Sequence, residues 1–329
     1  MMPRKTCTIL ASFGGPRSQG EVSSFLRDLL TDRDVIRTRF PRFIEKPFFT
    51  FVAKRREKVV KKDYEMIGGK SPIYDDTEQL AATLSRHLGH PILCFHRYIK
   101  ETHASFKKQL LEMNPEKINV FPCFPQFTYA TSGSCARWFS KNLPLNVQSK
   151  LRWIKSYPAH PSFIHAHEEK IQRFLNAHQL NENEVFFLFS AHGIPKKYVA
   201  EGDLYEEECQ ATYSAIMKRF PKAQGILCYQ SQFGKEEWLR PYTRDVCEDI
   251  GSFCQERKKI VIIPISFISD HIETLFEIET AYMPPLKEKG YLPFRVPCLT
   301  LEPLWIEAIC SIMQQEDRLN NQMLIRPGF

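Results

Sequence analysis

Short apolar runs rich in β-branched and aromatic side chains recur at 6–13, 92–98, 118–124, 151–157, 185–191, 225–231, 260–267 and 294–299. Runs of this length with no polar alternation predict strands buried on both faces, as in a parallel sheet. Helical spacing fills the intervals, over 21–30, 75–88, 102–113, 130–141, 162–178, 205–220, 244–255 and 302–313. Strand and helix alternate, which predicts right-handed βαβ units. A strand runs into a glycine turn twice, at Phe13-Gly14-Gly15-Pro16 and at His192-Gly193-Ile194-Pro195. This repetition predicts two related α/β halves, 1–145 and 146–329, joined at 142–146. Each would hold a four-stranded parallel sheet flanked by helices, with the active-site cleft between them.

The segment 33–72 breaks the alternation. Over 33–62 it is basic at Lys54, Arg55, Arg56, Lys58, Lys61 and Lys62, aromatic at Phe40, Phe43, Phe48, Phe49 and Phe51, and interrupted by Pro41 and Pro47. The prolines predict short surface helices. The net charge of +7 is concentrated here, and the aromatics beside it fit an anionic amphiphile or membrane surface better than nucleic acid. At 329 residues, 43% hydrophobic and 25% charged, the chain has material for two ordinary globular cores. The longest apolar runs are about half of what a membrane-spanning helix requires, and 7–13 does not read as a signal peptide. None of the ten cysteines forms a C-x-x-C pair, so no zinc ribbon or local iron–sulfur motif is written, and a reducing cytoplasm is the expected setting.

Neither glycine turn matches a dinucleotide fingerprint or a Walker loop, and no nucleophile elbow is present. The chemistry concentrates after the run 260–267, where Asp270, His271, Glu273, Glu277 and Glu279 follow in quick succession. With an α-helix starting near Asp270, the acids at 270, 273 and 277 share one face. Carboxylates also occur in first helical turns as ordinary caps. Four acids and a histidine at the end of a buried strand suit a divalent cation held by oxygen and imidazole. His192 stands at another strand end of the same half, and either it or Glu273 could accept a proton near neutral pH.

The motifs resemble those of the ferrochelatases, enzymes that insert ferrous iron into a porphyrin. The matching stretches are Phe13-Gly14-Gly15-Pro16, Ala53-Lys54-Arg55-Arg56, Ile67-Gly68-Gly69-Lys70-Ser71-Pro72-Ile73, Arg97-Tyr98, Pro125-Gln126-Phe127 and Thr131-Ser132-Gly133-Ser134. The second half adds Phe189-Ser190-Ala191-His192-Gly193-Ile194-Pro195, Gly202-Asp203, Tyr229-Gln230-Ser231-Gln232, Trp238-Leu239 and the stretch from Pro264 to Leu275.

That resemblance implies two similar Rossmann-like domains and a haem-biosynthetic lyase. It implies His192 and Glu273 as the catalytic, metal-binding pair, with Asp270, His271 and Glu277 along a metal or proton path. Phe13, Arg56, Ser71, Arg97, Tyr98 and Phe267 would line the porphyrin pocket, with 33–72 as its lip. Fe2+ enters as substrate, no tightly bound cofactor is implied, and no cysteine-rich tail or iron–sulfur cluster is expected. The expected partners are the porphyrin and, peripherally, an anionic membrane, with no nucleic acid. Phe13 lacks the hydroxyl of the tyrosine that coproporphyrin-using members tend to carry, which favours protoporphyrin IX; coproporphyrin III remains the alternative. A corrinoid cobalt chelatase and a non-catalytic haem carrier are the competing readings. Tyr229 replaces the family's tryptophan, and Ala281 an acid further along the helix.

Overall fold

The computed structural model describes residues 6–38 and 41–327, without the side chain of residue 42, so Phe40 of the basic segment lies outside the described residues. The chain divides into two compact units, Met1–Ser156 with Met313–Phe329, and Tyr157–Ile312. The first unit's sheet consists of β1 (Thr6–Ser12), β2 (Ile92–His96), β3 (Lys117–Pro122) and β4 (Leu151–Trp153), all parallel, in the order β2-β1-β3-β4. The second unit repeats the arrangement with β5 (Val185–His192), β6 (Gln224–Gln230), β7 (Lys259–Pro264) and β8 (Leu292–Arg295), in the order β6-β5-β7-β8.

In both sheets the chain leaves the central strand to one side and returns on the other. The connections therefore diverge beside the carboxyl ends of β1 and β3, and of β5 and β7. A crevice of this kind is where open α/β sheets place their ligands. The central strands are the most apolar stretches because both faces are covered: β1 from Cys7 to Ser12 and β5 from Val185 to Ala191 are buried throughout.

Three expectations change. The run at 151 reads as the first strand of the second half, yet β4 pairs with β3, because Ile118–Val120 offers it a free strand edge. The division therefore falls after Ser156, beyond the turn at 142–146. The tail after the helix Pro303–Ile312 belongs to the first unit: Trp153 and Leu319 exchange backbone hydrogen bonds of 2.9 and 3.0 Å, and Asn321 bonds the Trp153 indole and the Ala136 carbonyl. The segment with two prolines forms one long helix. After α1 (Val22–Leu30), α2 runs unbroken from Arg42 to Met66 with Pro47 inside it. Pro47 lies in the second turn, where its missing donor leaves only a carbonyl near the exposed start of the helix unpaired.

A polar knot fixes the carboxyl end of β2. The Arg97 guanidinium, the Tyr98 hydroxyl and the Ser134 hydroxyl all donate to Asp32 Oδ2, and Arg97 Nε also reaches Ser134 Oγ at 2.8 Å. Removing one partner of a buried ion pair leaves the other charge uncompensated. Asp32→Ala is therefore expected to lower unfolding free energy by about 3 kcal/mol, read as the shift in denaturation midpoint. A neutral result would show that the knot contributes nothing.

Candidate active site

Seven consecutive buried residues carry β5 to its last position, and only His192 opens toward solvent. The following residue must be glycine: a Cβ on Gly193 would lie 2.9 Å from the Gln230 carbonyl, to which its own N–H donates. The His192 backbone N–H donates to Ser266 Oγ at 2.9 Å, tying the end of β5 to the loop that follows β7. Its ring Nδ1 lies 2.9 Å from Glu273 Oε2. His271 Nε2 approaches the same oxygen at 3.5 Å. Phe267 packs on His271 with ring centroids 4.5 Å apart and stands 6.4 Å from His192.

Burial opposes charge on both members of the pair, and their mutual attraction outweighs it. Burial alone would lower the His192 pKa, but the charge and hydrogen bond of Glu273, with Glu277 behind it, raise it above 6.5. Burial would raise Glu273, but His192 and His271 hold it well below the usual carboxylate range. The pair therefore sets an ionised carboxylate against an imidazole whose protonated form it stabilises.

Glu273 and Glu277 sit on a π-helix, Ile272–Tyr282, rather than on an α-helix from Asp270. In i→i+5 hydrogen bonding four residues fall roughly one turn apart, so both carboxylates share a face. Glu277 is clamped by neutral donors: Gln230 Nε2 at 3.1 Å, the Ser231 N–H at 3.1 Å, the Ser231 hydroxyl and the Tyr282 hydroxyl. Gln230 also donates to the Glu273 carbonyl at 2.8 Å, linking the two acids through one side chain.

Asp270 precedes this helix and does not share its acidic face. It accepts from Arg295 Nη1 at 2.8 Å, from Thr274 Oγ1 at 2.9 Å and from the Cys298 N–H at 3.2 Å. Arg295 also binds Glu279 at 2.8 Å, so both acids are engaged by one cation.

In the first unit, Phe13 meets the ring of Tyr98 edge-on at 4.6 Å and Phe124 at 6.0 Å, at the ends of β1, β2 and β3. Ser71 is buried, and its backbone N–H donates to the Pro16 carbonyl at 2.8 Å. A Cβ on Gly15 would come within 2.3 Å of Ser71 Oγ, which explains the glycine there. Arg56 is exposed on α2. Arg97 and Tyr98 are engaged with Asp32, so neither basic nor hydroxyl group stands ready without displacement.

Sequence reasoning did not single out Ser266, Gln230, Ser231, Tyr282 or Arg295 as site residues. Gln230 and Ser231 close the apolar run 225–231 with polar side chains, a position that could have marked them. Tyr282 and Arg295 carry no local signal, because only the wider π turn and the β7–β8 register bring them in.

The ferrochelatase family model matches residues 5–317. A ferrochelatase of Chlamydia caviae is 42% identical over 97% of this chain and 98% of its own length. One of Chlamydia pneumoniae is 38% identical over 97% of this chain and 96% of its own. Among solved structures, SirB from Bacillus subtilis with Fe3+ superposes with a TM-score of 0.54 at 10% identity, covering 94% of each chain. The sirohydrochlorin chelatase SirB of Bacillus subtilis subspecies spizizenii with cobalt gives 0.51 at 10% identity over 93% of each. Those two likenesses establish the shared two-domain fold.

The geometry of the pair sets an expected titration. By NMR of labelled imidazole, His192 should titrate above 6.5, its ordinary value. In Glu273→Gln the larger attraction goes while burial and the weaker pull of Glu277 remain, so the midpoint should fall relative to the unsubstituted protein. An unchanged midpoint would separate the two groups electrostatically.

Proposed function

Because the chain belongs to the ferrochelatase family, we propose that it inserts Fe2+ into protoporphyrin IX at the His192–Glu273 pair. The observation that carries this reading is the imidazole and carboxylate held 2.9 Å apart at the divergent crevice of β5 and β7.

A free-base porphyrin must lose two pyrrole protons as the ion enters, so the site needs proton acceptors beside metal ligands. Imidazole and carboxylate serve both purposes for a borderline divalent ion. In this reading His192 accepts a pyrrole proton as neutral imidazole, and Glu273 stabilises the imidazolium that results. Glu277 and His271 continue the path by which the ion arrives or the protons leave, and Gln230 keeps the two glutamates in register. Asp270, spent on Arg295, supports the start of the π-helix and stands behind that path. Iron is a substrate here, and the reading requires no resident prosthetic group.

Phe13, Arg56, Ser71, Arg97, Tyr98 and Phe267 are assigned to porphyrin contact on family resemblance. The absence of a hydroxyl at Phe13 favours protoporphyrin IX over coproporphyrin III, since the phenyl ring offers no ligand to iron and suits a more apolar macrocycle. A non-catalytic carrier would need the aromatic contacts but not a second carboxylate clamped behind the first.

On α2 an exposed stripe runs through Ile44, Phe48 and Phe51 into Arg55, Lys58 and Lys62. No described helix is long and apolar enough to cross a membrane. Apolar residues followed by cations suit a helix lying on an anionic surface, and this reading gives α2 peripheral contact with membrane.

Two measurements test these assignments. Incubated anaerobically with Fe2+ or Zn2+ and either porphyrin, the protein should turn over, followed in the Soret band, with protoporphyrin IX preferred. His192→Ala and Glu273→Gln should each lose at least about 100-fold in rate; near-normal turnover in both would refute the assignment. Flotation with anionic liposomes should retain the protein at low salt and release it at high salt. Failure to bind at low salt would remove the membrane contact.

A further inference from the structure

A second cluster of ligand-bearing side chains lies in the first unit. Along β2, Leu93 and Phe95 point to the core, so Cys94 and His96 share the opposite face, the one covered by α3 (Ile73–Leu88). From α3, Glu78 reaches the same place. One ligand atom from each of Glu78, Cys94 and His96 lies within 4.8 Å of the others.

The three residues are held differently. His96 is 1% exposed, its Nε2 is 3.0 Å from Glu78 Oε1, and the ring of Tyr74 lies against it with centroids 4.5 Å apart. Its other ring nitrogen, Nδ1, is buried without a hydrogen-bond partner. Cys94 is half-buried, unlike most cysteines of the chain, which are buried. The Glu78 side chain is 47% exposed and gives the cluster an opening to solvent.

A histidine–carboxylate hydrogen bond needs no thiol beside it, and a small hydrophobic cysteine needs no imidazole. A thiol, an imidazole and a carboxylate together form the ligand set of a borderline-soft divalent ion, not of a hard one such as Mg2+ or Ca2+. Tetrahedral bonds of zinc length place ligand atoms about 3.3–3.8 Å apart, so side-chain adjustments on the order of an ångström would close the cluster around one ion.

We propose that Glu78, Cys94 and His96 bind a zinc-class divalent ion, with a fourth coordination position open to water on the Glu78 side. The ion takes the thiolate and the thiol proton passes to solvent. The site is separate from His192 and Glu273, which lie in the other unit, and it does not depend on the porphyrin reading. It has a structural consequence. The next two residues, Arg97 and Tyr98, donate their backbone N–H groups to the Ser12 and Phe13 carbonyls at 2.9 and 3.1 Å. An ion on His96 therefore anchors the strand end that carries them.

The test uses the full-length protein, stripped by chelation and titrated with Co2+ and then Zn2+ in the absence of porphyrin. Co2+ should produce a thiolate-to-metal charge-transfer band that Zn2+ abolishes at one equivalent. The band should persist in a His192→Ala, Glu273→Gln double variant, which separates this site from the other. It should vanish in Cys94→Ser, and Glu78→Gln should weaken binding by at least about tenfold. Glu78→Gln alters a half-exposed side chain, so it remains informative if Cys94→Ser does not fold. No band in the wild type, a band that survives Cys94→Ser in folded protein, or unchanged affinity in Glu78→Gln would overturn the proposal.

Discussion

An ionised carboxylate with most of its water removed needs positive partners, and at Glu273 they are His192 and His271. Much of the second unit's design around this point follows from that requirement. His192 must reach the end of β5 without being swallowed by the core, so the strand is buried up to Ala191 and opens one residue later. The loop after β7 must come close enough for Ser266 to hold the His192 backbone, which it can do because β5 and β7 are direct neighbours. Gly193 must lack a side chain so that β6 can lie against the turn.

The two units repeat one topology but end their central strands in different chemistry. After β5 come an imidazole and carboxylates; after β1 come Phe13 and the aromatic contacts of Tyr98 and Phe124. In the first unit the charges near the strand ends are mutually satisfied, because Asp32 gathers Arg97, Tyr98 and Ser134. That leaves the β1 end largely apolar, with its neighbouring charges paired. The same sheet order thus ends in an imidazole–carboxylate pair in one unit and in packed aromatic rings in the other, which accords with fold positioning side chains without dictating their chemistry.

Much of this was legible in the sequence because it depends on local pattern. Strands buried on both faces write themselves as apolar runs, and glycines that admit close backbone approach stand at the ends of those runs. His192 and Glu273 stand out in the sequence because each follows such a run. What could not be read depends on register or on non-local pairing. β4 looks like the opening strand of a second half, and only the free edge of β3 shows where it pairs. The two prolines look like helix breaks in 33–62, yet α2 starts just after Pro41 and runs unbroken through Pro47. Periodicity alone gives 3.6 residues per turn, which puts the acids at 270, 273 and 277 on one face. The wider π turn keeps Glu273 and Glu277 together and leaves Asp270 outside, where Arg295 takes it.

That wider turn also explains how the two retained glutamates come to be supported differently. Glu273 faces two imidazole rings, and its charge raises the proton affinity of one of them, His192, from an ordinary value near neutral pH. Glu277 is held by an amide, two hydroxyls and a backbone N–H, none of which changes charge there. A carboxylate clamped by neutral donors keeps its orientation whatever the protonation state of its neighbour. One acid can therefore follow the proton on His192 while the other stays fixed, and Gln230, bonded to both residues, keeps their separation constant through that change. An α-helix would also set residues 273 and 277 on neighbouring turns, but its tighter coil would not leave Tyr282 positioned to close the clamp from the same helix. The π geometry is thus a means of pairing a responsive carboxylate with an unresponsive one across a single side chain.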